Sequence, residues 1–220
     1  MPKIRIIDLL FPPRCIFCGG IIEVFTYSKC CDEKVKKYKL EGDLRVDYLK
    51  HIRDLSDIAG TLTSYIYSGP VAKSIVDLKF GKNYHIAREI AKIMSKDLKD
   101  TFGFDYDVVI PIPSYKNINR HSEKIAKYLS KEIGIKNLPD CLVKSRKTKK
   151  QHELTLNGRR KNLSGAFCVK DPSRIAGKKI LLCDDVLTSG NTLNEAGKTL
   201  KASGAYSVLG VTFSATDKIK

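Results

Sequence analysis

Apolar residues follow two periods along the chain from about residue 54 onward. "TLTSYIYSG" alternates as a strand does, and Gly69-Pro70 ends it. Helical spacing follows, with one apolar face formed by Val71, Ala72, Ile75 and Val76. After Gly81 the same spacing returns in Ile86, Ala87, Ile90, Met94 and Leu98. This part of the chain therefore predicts one strand and two helices.

The second half of the chain repeats the alternation. "YDVVIPIP" predicts a buried strand ended by prolines, and "DCLVK", "GAFCV", "KKILLCDD" and "YSVLGVTF" predict further strands. One helical face is formed by Ile125, Ala126, Leu129 and Ile133 before Gly134, and another by Leu193, Ala196, Gly197 and Leu200 before Gly204. Alternating helices and nearly all-apolar strands predict an α/β fold with a parallel sheet flanked by helices.

The stretch "ILLCDDVLTSGNT", residues 180–192, combines a strand, two acids, a turn of hydroxyls and glycine, and a helix start. Ligands of such sheets bind beyond the carboxyl ends of the strands, where unpaired helix amides attract phosphate. Two carboxylates would repel a neighbouring phosphate unless they bind something else. Sugar hydroxyls or a divalent cation suit them, because carboxylate oxygens accept hydrogen bonds and bind cations. The pattern predicts a phosphorylated sugar, with its diol on the acids. An ordinary helix N-cap, the alternative, needs fewer of these residues.

The same stretch resembles the phosphoribosyl pyrophosphate (PRPP) signature of type I phosphoribosyltransferases: apolar strand, Asp-Asp, two apolar residues, Thr-[Ser/Thr]-Gly-x-Thr. The resemblance implies that Asp184 and Asp185 hold the ribose hydroxyls and that Mg²⁺ accompanies the pyrophosphate. The residues implied for the 5′-phosphate are Val186, Leu187, Thr188, Ser189, Gly190, Asn191 and Thr192. A second loop, implied to grip the pyrophosphate, contributes Ile112, Pro113, Ser114 and Lys116, with Lys116 as its cation.

Longer segments narrow the resemblance to the ComF family of competence-associated proteins. "YIYSGPVAKSIVDLKFGKNYHIA", "VVIPIP" and "KTKKQHELTLNGRRKNLSGAF" look like that family, as does the cysteine-rich start. The family's spacing is matched by Gln151, Leu154, Arg159, Asn162 and Gly165-Ala166-Phe167. Where the family has Arg-Gly-aromatic-Asn-Gln/His, this chain has "NINRHSEKIA", which keeps His121 and Glu123. The resemblance implies a role in DNA uptake during transformation, with an uptake or helicase protein as partner.

The first fifty residues predict a small zinc-binding module. They hold "CIFCGG" and "SKCCDEK" and too few apolar residues for a core of their own. Cys15 and Cys18 can meet one tetrahedral ion from a single turn, and Cys30 follows an eleven-residue loop. Cys31 adjoins Cys30, so His51 or water could replace it as the fourth ligand. Without zinc, these cysteines would pack as small apolar residues, as we interpret Cys141, Cys168 and Cys183, or form disulfides. The predicted domains are 1–50 and 51–220.

A basic stretch lies between Val143 and Lys161. Against one acid, Glu153, it has eight cations: Lys144, Arg146, Lys147, Lys149, Lys150, Arg159, Arg160 and Lys161. It predicts a hood over the pyrophosphate or a track for the backbone of single-stranded DNA, and a solvated loop is the alternative. The residues expected to contact phosphate or DNA are Lys147, Lys149, Lys150, Gln151 and Arg159, of which Arg159 suits bidentate binding.

Net charge and apolar content of the whole chain limit its possible partners and location. A net charge of +16 favours polyanionic partners, although a lysine-rich surface alone would also produce it. No apolar run approaches the length of a membrane span, and the start does not fit a signal peptide, so we expect a cytoplasmic protein. His51, His85 and His152 have no catalytic context.

Two classes of function remain open. One is a PRPP-binding competence factor that binds DNA, and the other is a transferase that moves ribose 5-phosphate to an acceptor. In the purine-salvage relatives, the residue at the position of Thr188 is an acid that serves as the base. This chain has threonine there, so a purine that needs deprotonation is not predicted as the acceptor. A pyrimidine, an amine, or no acceptor at all remain.

Overall fold

A computed structural model describes residues 12, 14–21, 32–42, 46, 58–80, 84–114, 120–145 and 165–216 of the chain. The α-helices in these ranges are α1 (Asp32–Lys36), α2 (Gly69–Phe80), α3 (Tyr84–Phe102), α4 (His121–Ile133) and α5 (Asn191–Ala202), and Pro172–Arg174 forms a 3₁₀ turn. The strands are β1 (Gly60–Ile66), β2 (Val108–Pro111), β3 (Lys136–Asn137), β4 (Leu142–Lys144), β5 (Phe167–Val169), β6 (Lys179–Leu187) and β7 (Ser207–Ala215).

Five of these strands form one sheet in the order β1-β7-β6-β2-β3, and every neighbouring pair is parallel. β4 and β5 form a separate antiparallel pair. The predicted parallel sheet flanked by helices is thus confirmed. β6 pairs with β2 only as far as Cys183, opposite Pro111, whereas its pairing with β7 continues to Leu187, opposite Ala215. Beyond Cys183, β6 therefore extends past the end of its neighbour β2.

The sheet is covered on both faces because the helices bury the apolar stripes that their sequences predict. One core contains Ile75 of α2, Ile90 of α3 and Leu129 of α4, and the other contains Leu193 and Leu200 of α5. All five side chains are buried. Burying a side chain of this size contributes about 1.5–3 kcal/mol, so these stripes fix the helices on the sheet.

The predicted position of Val76 is wrong. Val76 is 43% exposed, whereas Ser74 and Leu78 lie on the buried face of α2 with Val71 and Ile75. At 100° per residue, Val76 lies about 140° around the helix from Val71, which turns it to solvent. The hydroxyl of Ser74 is tolerated inside because it donates to the Val71 carbonyl at 2.7 Å.

The described part of the N-terminal segment packs against the sheet. Cys15, Ile16 and Val35 belong to the same core as α2, α3 and α4. The Phe17 ring lies 5.7 Å from that of Tyr65, on β1. The predicted boundary near residue 50 lies outside the described residues and stays a prediction.

A partly buried ion pair adds to this packing. Lys39 Nζ lies 2.5 Å from Asp97 Oδ2 on α3, and the side chains are 18% and 5% exposed. The Lys39 ammonium also lies 4.5 Å from the centroid of the Tyr65 ring. The segment before β1 is therefore held to the helical layer by charge as well as by apolar contact. None of the described helices combines the length and apolar character that crossing a membrane requires.

Candidate functional site

Two adjacent carboxylates stand on β6 where it extends past β2. Asp184 Oδ1 accepts hydrogen bonds from Ser122 Oγ at 2.7 Å and from the Asp185 N–H at 2.9 Å. Asp185 Oδ1 accepts from the Val186 N–H at 2.8 Å, and its Oδ2 lies 3.0 Å from Lys79 Nζ. Helices α2 and α4 thus each supply a partner to one acid, and both acids are held in fixed orientations.

The charge of Asp184 is costly in this arrangement. Burial, and then the neighbouring charge of Asp185, raises the pKa of Asp184 from 3.8 to about 7, against the opposing effects of Ser122, the Asp185 N–H and Lys79. A cation or a set of hydroxyl donors placed between the acids would stabilise the charged form. The electrostatics of the pair therefore favour a ligand of that kind.

The acids open into a cleft of about 290 Å³. Its lining comprises Lys79, Phe80, Ile112, Pro113, Ser114, His121, Ser122, Asp184 and Asp185. Burial lowers the pKa of His121, Asp185 raises it, and Lys79 and Lys124 lower it further. The net effect lowers the pKa and so favours the neutral imidazole. Seven buried polar side-chain atoms in the described residues have no hydrogen-bond partner, and two of them, Ser114 Oγ and His121 Nδ1, belong to the lining of this cleft.

The loop after the acids leads directly into α5. Gly190, which has no side chain to bond the helix amides, occupies the N-cap position in the left-handed conformation, at φ 73°. A glycine here lets a ligand approach the backbone closely, and the partial positive charge of the helix start favours an anion.

The side chains of the loop differ in exposure. Thr188 is exposed and Ser189 is buried, while Asn191 and Thr192 are half-buried. Leu187 is buried in the core beneath α5, so only its backbone can contact a ligand. β6 continues through Val186 and Leu187, and the turn begins at Thr188. The hydroxyl-rich part of the predicted phosphate cradle thus coincides with the bend and the first turn of the helix.

The magnesium prediction can be compared with the side chains present. Mg²⁺ prefers oxygen ligands, and Asp184 and Asp185 supply carboxylate oxygens at a place where the Lys79 ammonium already balances one charge. The carboxylates of Asp184 and Asp185 would therefore fit a magnesium ion that arrives with a phosphorylated ligand.

The zinc prediction rests on four cysteines, of which Cys15 and Cys18 lie in the described residues. The Cys15 N–H donates to the Gly20 carbonyl at 2.7 Å, and the Gly20 N–H donates to Cys18 Sγ at 3.4 Å. An N–H that points at sulfur favours a thiolate, which is the form that binds zinc. Cys30 and Cys31 lie outside the described residues, within which no group of three or more metal-binding side chains is found. Zinc therefore stays a prediction.

A second cleft, of about 190 Å³, shares Pro113 and Ser114 with the first. Its charged lining consists of Arg120, Glu123, Asp140, Lys144 and Lys170. Burial lowers the pKa of the Lys144 ammonium, and Asp184 raises it, so the charge of this lysine is coupled to an acid of the first cleft. The two clefts therefore meet at Pro113 and Ser114, with Asp184 and Asp185 in one and a wall of three cations and two acids in the other.

The structure brings together some of the predicted site residues. Ile112, Pro113 and Ser114 line the same cleft as the two acids, as expected for the second loop. Several predicted residues lie outside the described ranges: Lys116, Lys147, Lys149, Lys150, Gln151 and Arg159. Lys79, Ser122 and Lys144 were not singled out from the sequence as partners of the acids, although Lys79 and Ser122 stand within the quoted segments "VDLKF" and "NRHSEK".

Comparisons with known proteins show what this chain is similar to. Residues 79–216 match the family model described as the phosphoribosyl transferase domain. The chain is 25% identical to competence protein F of Haemophilus influenzae over 214 residues, covering 89% of this chain and 93% of that protein. It is 28% identical to DNA utilization protein YhgH of Escherichia coli O157:H7 over 153 residues, covering 64% and 66%.

Among solved structures, glutamine PRPP amidotransferase from B. subtilis aligns with a TM-score of 0.42 and 17% identity, over 61% of this chain and 29% of that one. The assignment of this chain to a family rests on the family model, which covers more than half of the chain. The predicted resemblance to ComF is confirmed. This chain belongs to the phosphoribosyl transferase domain family.

Proposed function

We propose that this protein binds PRPP together with Mg²⁺ at the cleft of Asp184 and Asp185, and that this binding serves DNA uptake. The observation that carries the proposal is the position of the two carboxylates immediately before the glycine-capped start of α5. Few ligands need hydroxyl acceptors and a phosphate cradle side by side, and a phosphorylated ribose is one of them. The family model supports the sugar phosphate, and the names of the two relatives support the DNA-related role.

Each part of the cleft has a distinct role in this proposal. Asp184 and Asp185 accept hydrogen bonds from the ribose hydroxyls, and the bend at 188–190 with the first turn of α5 holds the 5′-phosphate. Ser114, which is half-buried and lines the cleft, would contact the pyrophosphate. Mg²⁺, when bound, would neutralise part of the pyrophosphate charge. The side chains orient the sugar, which is most of what a dissociative transfer at C1 needs from a protein.

Calorimetry with three ligands tests the binding proposal. PRPP, ribose 5-phosphate and pyrophosphate are titrated separately into the protein, with and without Mg²⁺. Because PRPP joins the sugar phosphate to the metal-bound pyrophosphate, we expect it to bind more tightly than either fragment and to depend on Mg²⁺. Equal affinities for PRPP and free pyrophosphate would show that the ribose acids take no part, and would refute the assignment.

The DNA part of the proposal rests on the basic stretch and on the net charge of +16. Log affinity for single-stranded DNA should fall linearly with log salt, with a slope of about −0.7 per phosphate contact. The basic-stretch variant, with Lys147, Lys149 and Lys150 changed to Gln, removes three of these cations. The matched control changes three exposed helical lysines to Gln: Lys96, Lys127 and Lys131.

If the basic stretch contacts DNA, only its variant flattens the salt slope. Equal flattening in the helical control would indicate general charge attraction rather than a DNA track. If the stretch instead covers the pyrophosphate, the basic-stretch variant weakens PRPP binding and leaves the DNA slope unchanged.

An active transferase is the second candidate function, and the neutral His121 in the cleft favours it. In such a transfer the bond from C1 to pyrophosphate breaks, a bond from C1 to an acceptor forms, and the acceptor loses a proton. A neutral imidazole can take up that proton. Pyrophosphate release from PRPP and Mg²⁺, measured across a panel of pyrimidines and amines, tests this candidate. If no acceptor raises pyrophosphate release above the rate of simple PRPP hydrolysis, the transferase candidate fails and only the binding function remains.

A further inference from the structure

Lys79 lies beside the acidic site although it belongs to a distant part of the chain. It is the penultimate residue of α2, and its Nζ lies 3.0 Å from Asp185 Oδ2. The side chain of Asp185 is 12% exposed and that of Lys79 is 35% exposed. The other oxygen of Asp185 accepts the Val186 N–H, so the ammonium bonds the carboxylate oxygen that this backbone amide does not use.

The influence of Lys79 extends across the cleft. Its charge lowers the pKa of Asp184 and that of His121, although each of these has a larger cause of its own shift. In the ligand-free protein, Lys79 therefore partly offsets the repulsion between the two acids. A divalent cation bound to Asp185 would do the same with twice the charge.

A divalent cation bound directly to Asp185 Oδ2 would be repelled by the Lys79 ammonium on the same oxygen. Magnesium binds carboxylate oxygen at about 2.0–2.1 Å, so an ammonium held 3.0 Å from the same oxygen would lie within about 5 Å of that ion. Like charges at such a separation repel strongly in a partly buried site. The four-carbon stem of lysine is flexible, and the exposed side of Lys79 gives its ammonium room to leave.

We propose that Lys79 is the resident counter-cation of Asp185, which a divalent cation must displace when the site is loaded. The loading is then an exchange of one cation for another, and Lys79 sets the concentration of divalent cation that the exchange requires. The displaced ammonium remains at the wall of the cleft, where an anionic ligand binds. This inference rests on the proposed function, because it concerns the metal that accompanies PRPP.

The test measures the dissociation constant of Mn²⁺, the probe for the divalent cation, by electron paramagnetic resonance without PRPP. We expect Lys79→Met to bind Mn²⁺ about tenfold more tightly than wild type, which corresponds to ~1.4 kcal/mol. Lys79→Arg keeps the competing charge and should behave as wild type. The matched control is Lys73→Met on the same helix, because Lys73 is paired with Asp77 at 2.6 Å on the exposed side, away from the cleft.

A second background separates competition from general charge effects. In Asp185→Asn the carboxylate is absent, so adding Lys79→Met should no longer tighten Mn²⁺ binding. An unchanged or weakened Mn²⁺ affinity in Lys79→Met overturns the proposal. So does an equal gain in Lys73→Met, and so does a lack of Mn²⁺ binding in both wild type and Lys79→Met.

PRPP titrations on the same proteins distinguish this inference from the function on which it rests. If wild type fails to bind PRPP while the Mn²⁺ series behaves as expected, the proposed function fails and the cation exchange stands. If PRPP binds with Mg²⁺ and the Mn²⁺ affinity does not respond to Lys79, the exchange fails and the proposed function stands.

Discussion

Asparagine in place of Asp184 should stabilise the ligand-free protein, and the gain should grow with pH. Asp184 has a pKa of about 7 in the folded protein, against 3.8 as its ordinary value, because burial and Asp185 disfavour its charge. A carboxyl whose pKa is raised by folding stabilises the fold most when it is protonated, and this stability is lost as pH rises between the two pKa values. Asparagine does not titrate, and its oxygen can accept the same bonds from Ser122 and the Asp185 N–H.

The magnitude follows from the width of that pH window. Each pH unit between the two pKa values changes the free energy of unfolding by about 1.4 kcal/mol. Between pH 5 and pH 8 only the part up to about 7 counts, so the stability gain of Asp184→Asn should rise by about 2–3 kcal/mol over that range. For a chain of this size that corresponds to about 4–12 °C in Tm.

The assay is urea unfolding of wild type and Asp184→Asn at pH 5, 6, 7 and 8 in buffer without Mg²⁺ or phosphorylated sugars. The quantity of interest is the difference between the two proteins, since all other titrating groups are shared. Asp100→Asn, an exposed change on α3, reports the effect of losing a surface acid. A difference for Asp184→Asn that stays constant or shrinks from pH 5 to 8 would refute the reasoning, because burial would then not oppose this charge.

Three further predictions concern other parts of the molecule. Protein purified without added zinc should contain about one zinc ion per chain, and a content near zero with the cysteine segment folded would exclude the module. The basic-stretch variant should flatten the salt slope of single-stranded DNA binding by roughly two units if all three lysines touch phosphates, whereas an unchanged slope would exclude the track. Asp97→Ala should lower the free energy of unfolding by about 1.5–3 kcal/mol, because it removes a charged hydrogen-bond partner of the half-buried Lys39, and a loss below ~1 kcal/mol would show that the pair is unimportant.

Local sequence determines much of this fold, which is why the main helices and strands could be predicted. Gly134, for example, was expected to stop α4 and does so in the left-handed conformation at φ 75°. Val76 shows that apolar residues alone do not define the buried face of α2. Ser74 lies on that face instead, because its hydroxyl donates a hydrogen bond to a carbonyl of the same helix. The extension of β6 to Leu187 depends on pairing with β7, which the segment itself does not contain.

The candidate site also has a part that local sequence predicts and a part that it does not. The acids, the bend and the helix start lie within thirteen consecutive residues, so a single stretch of sequence predicted their association. Lys79 and Ser122 reach the acids only because α2 and α4 pack on the sheet beside β6. Their side chains are common helix residues, and nothing in their local sequence marks them as partners of Asp184 or Asp185. Contacts of this kind depend on the tertiary structure.

The central claim is that Asp184 and Asp185 hold the ribose of PRPP, and one calorimetric comparison tests it directly. PRPP is titrated in saturating Mg²⁺ into wild type and into the double variant Asp184→Asn/Asp185→Asn, each first shown to be folded by circular dichroism. Hydrogen bonds to a charged group contribute about 1.5–3 kcal/mol each, so losing both carboxylates should weaken PRPP binding by about a hundredfold or more. Equal PRPP affinity in the two proteins would contradict the account.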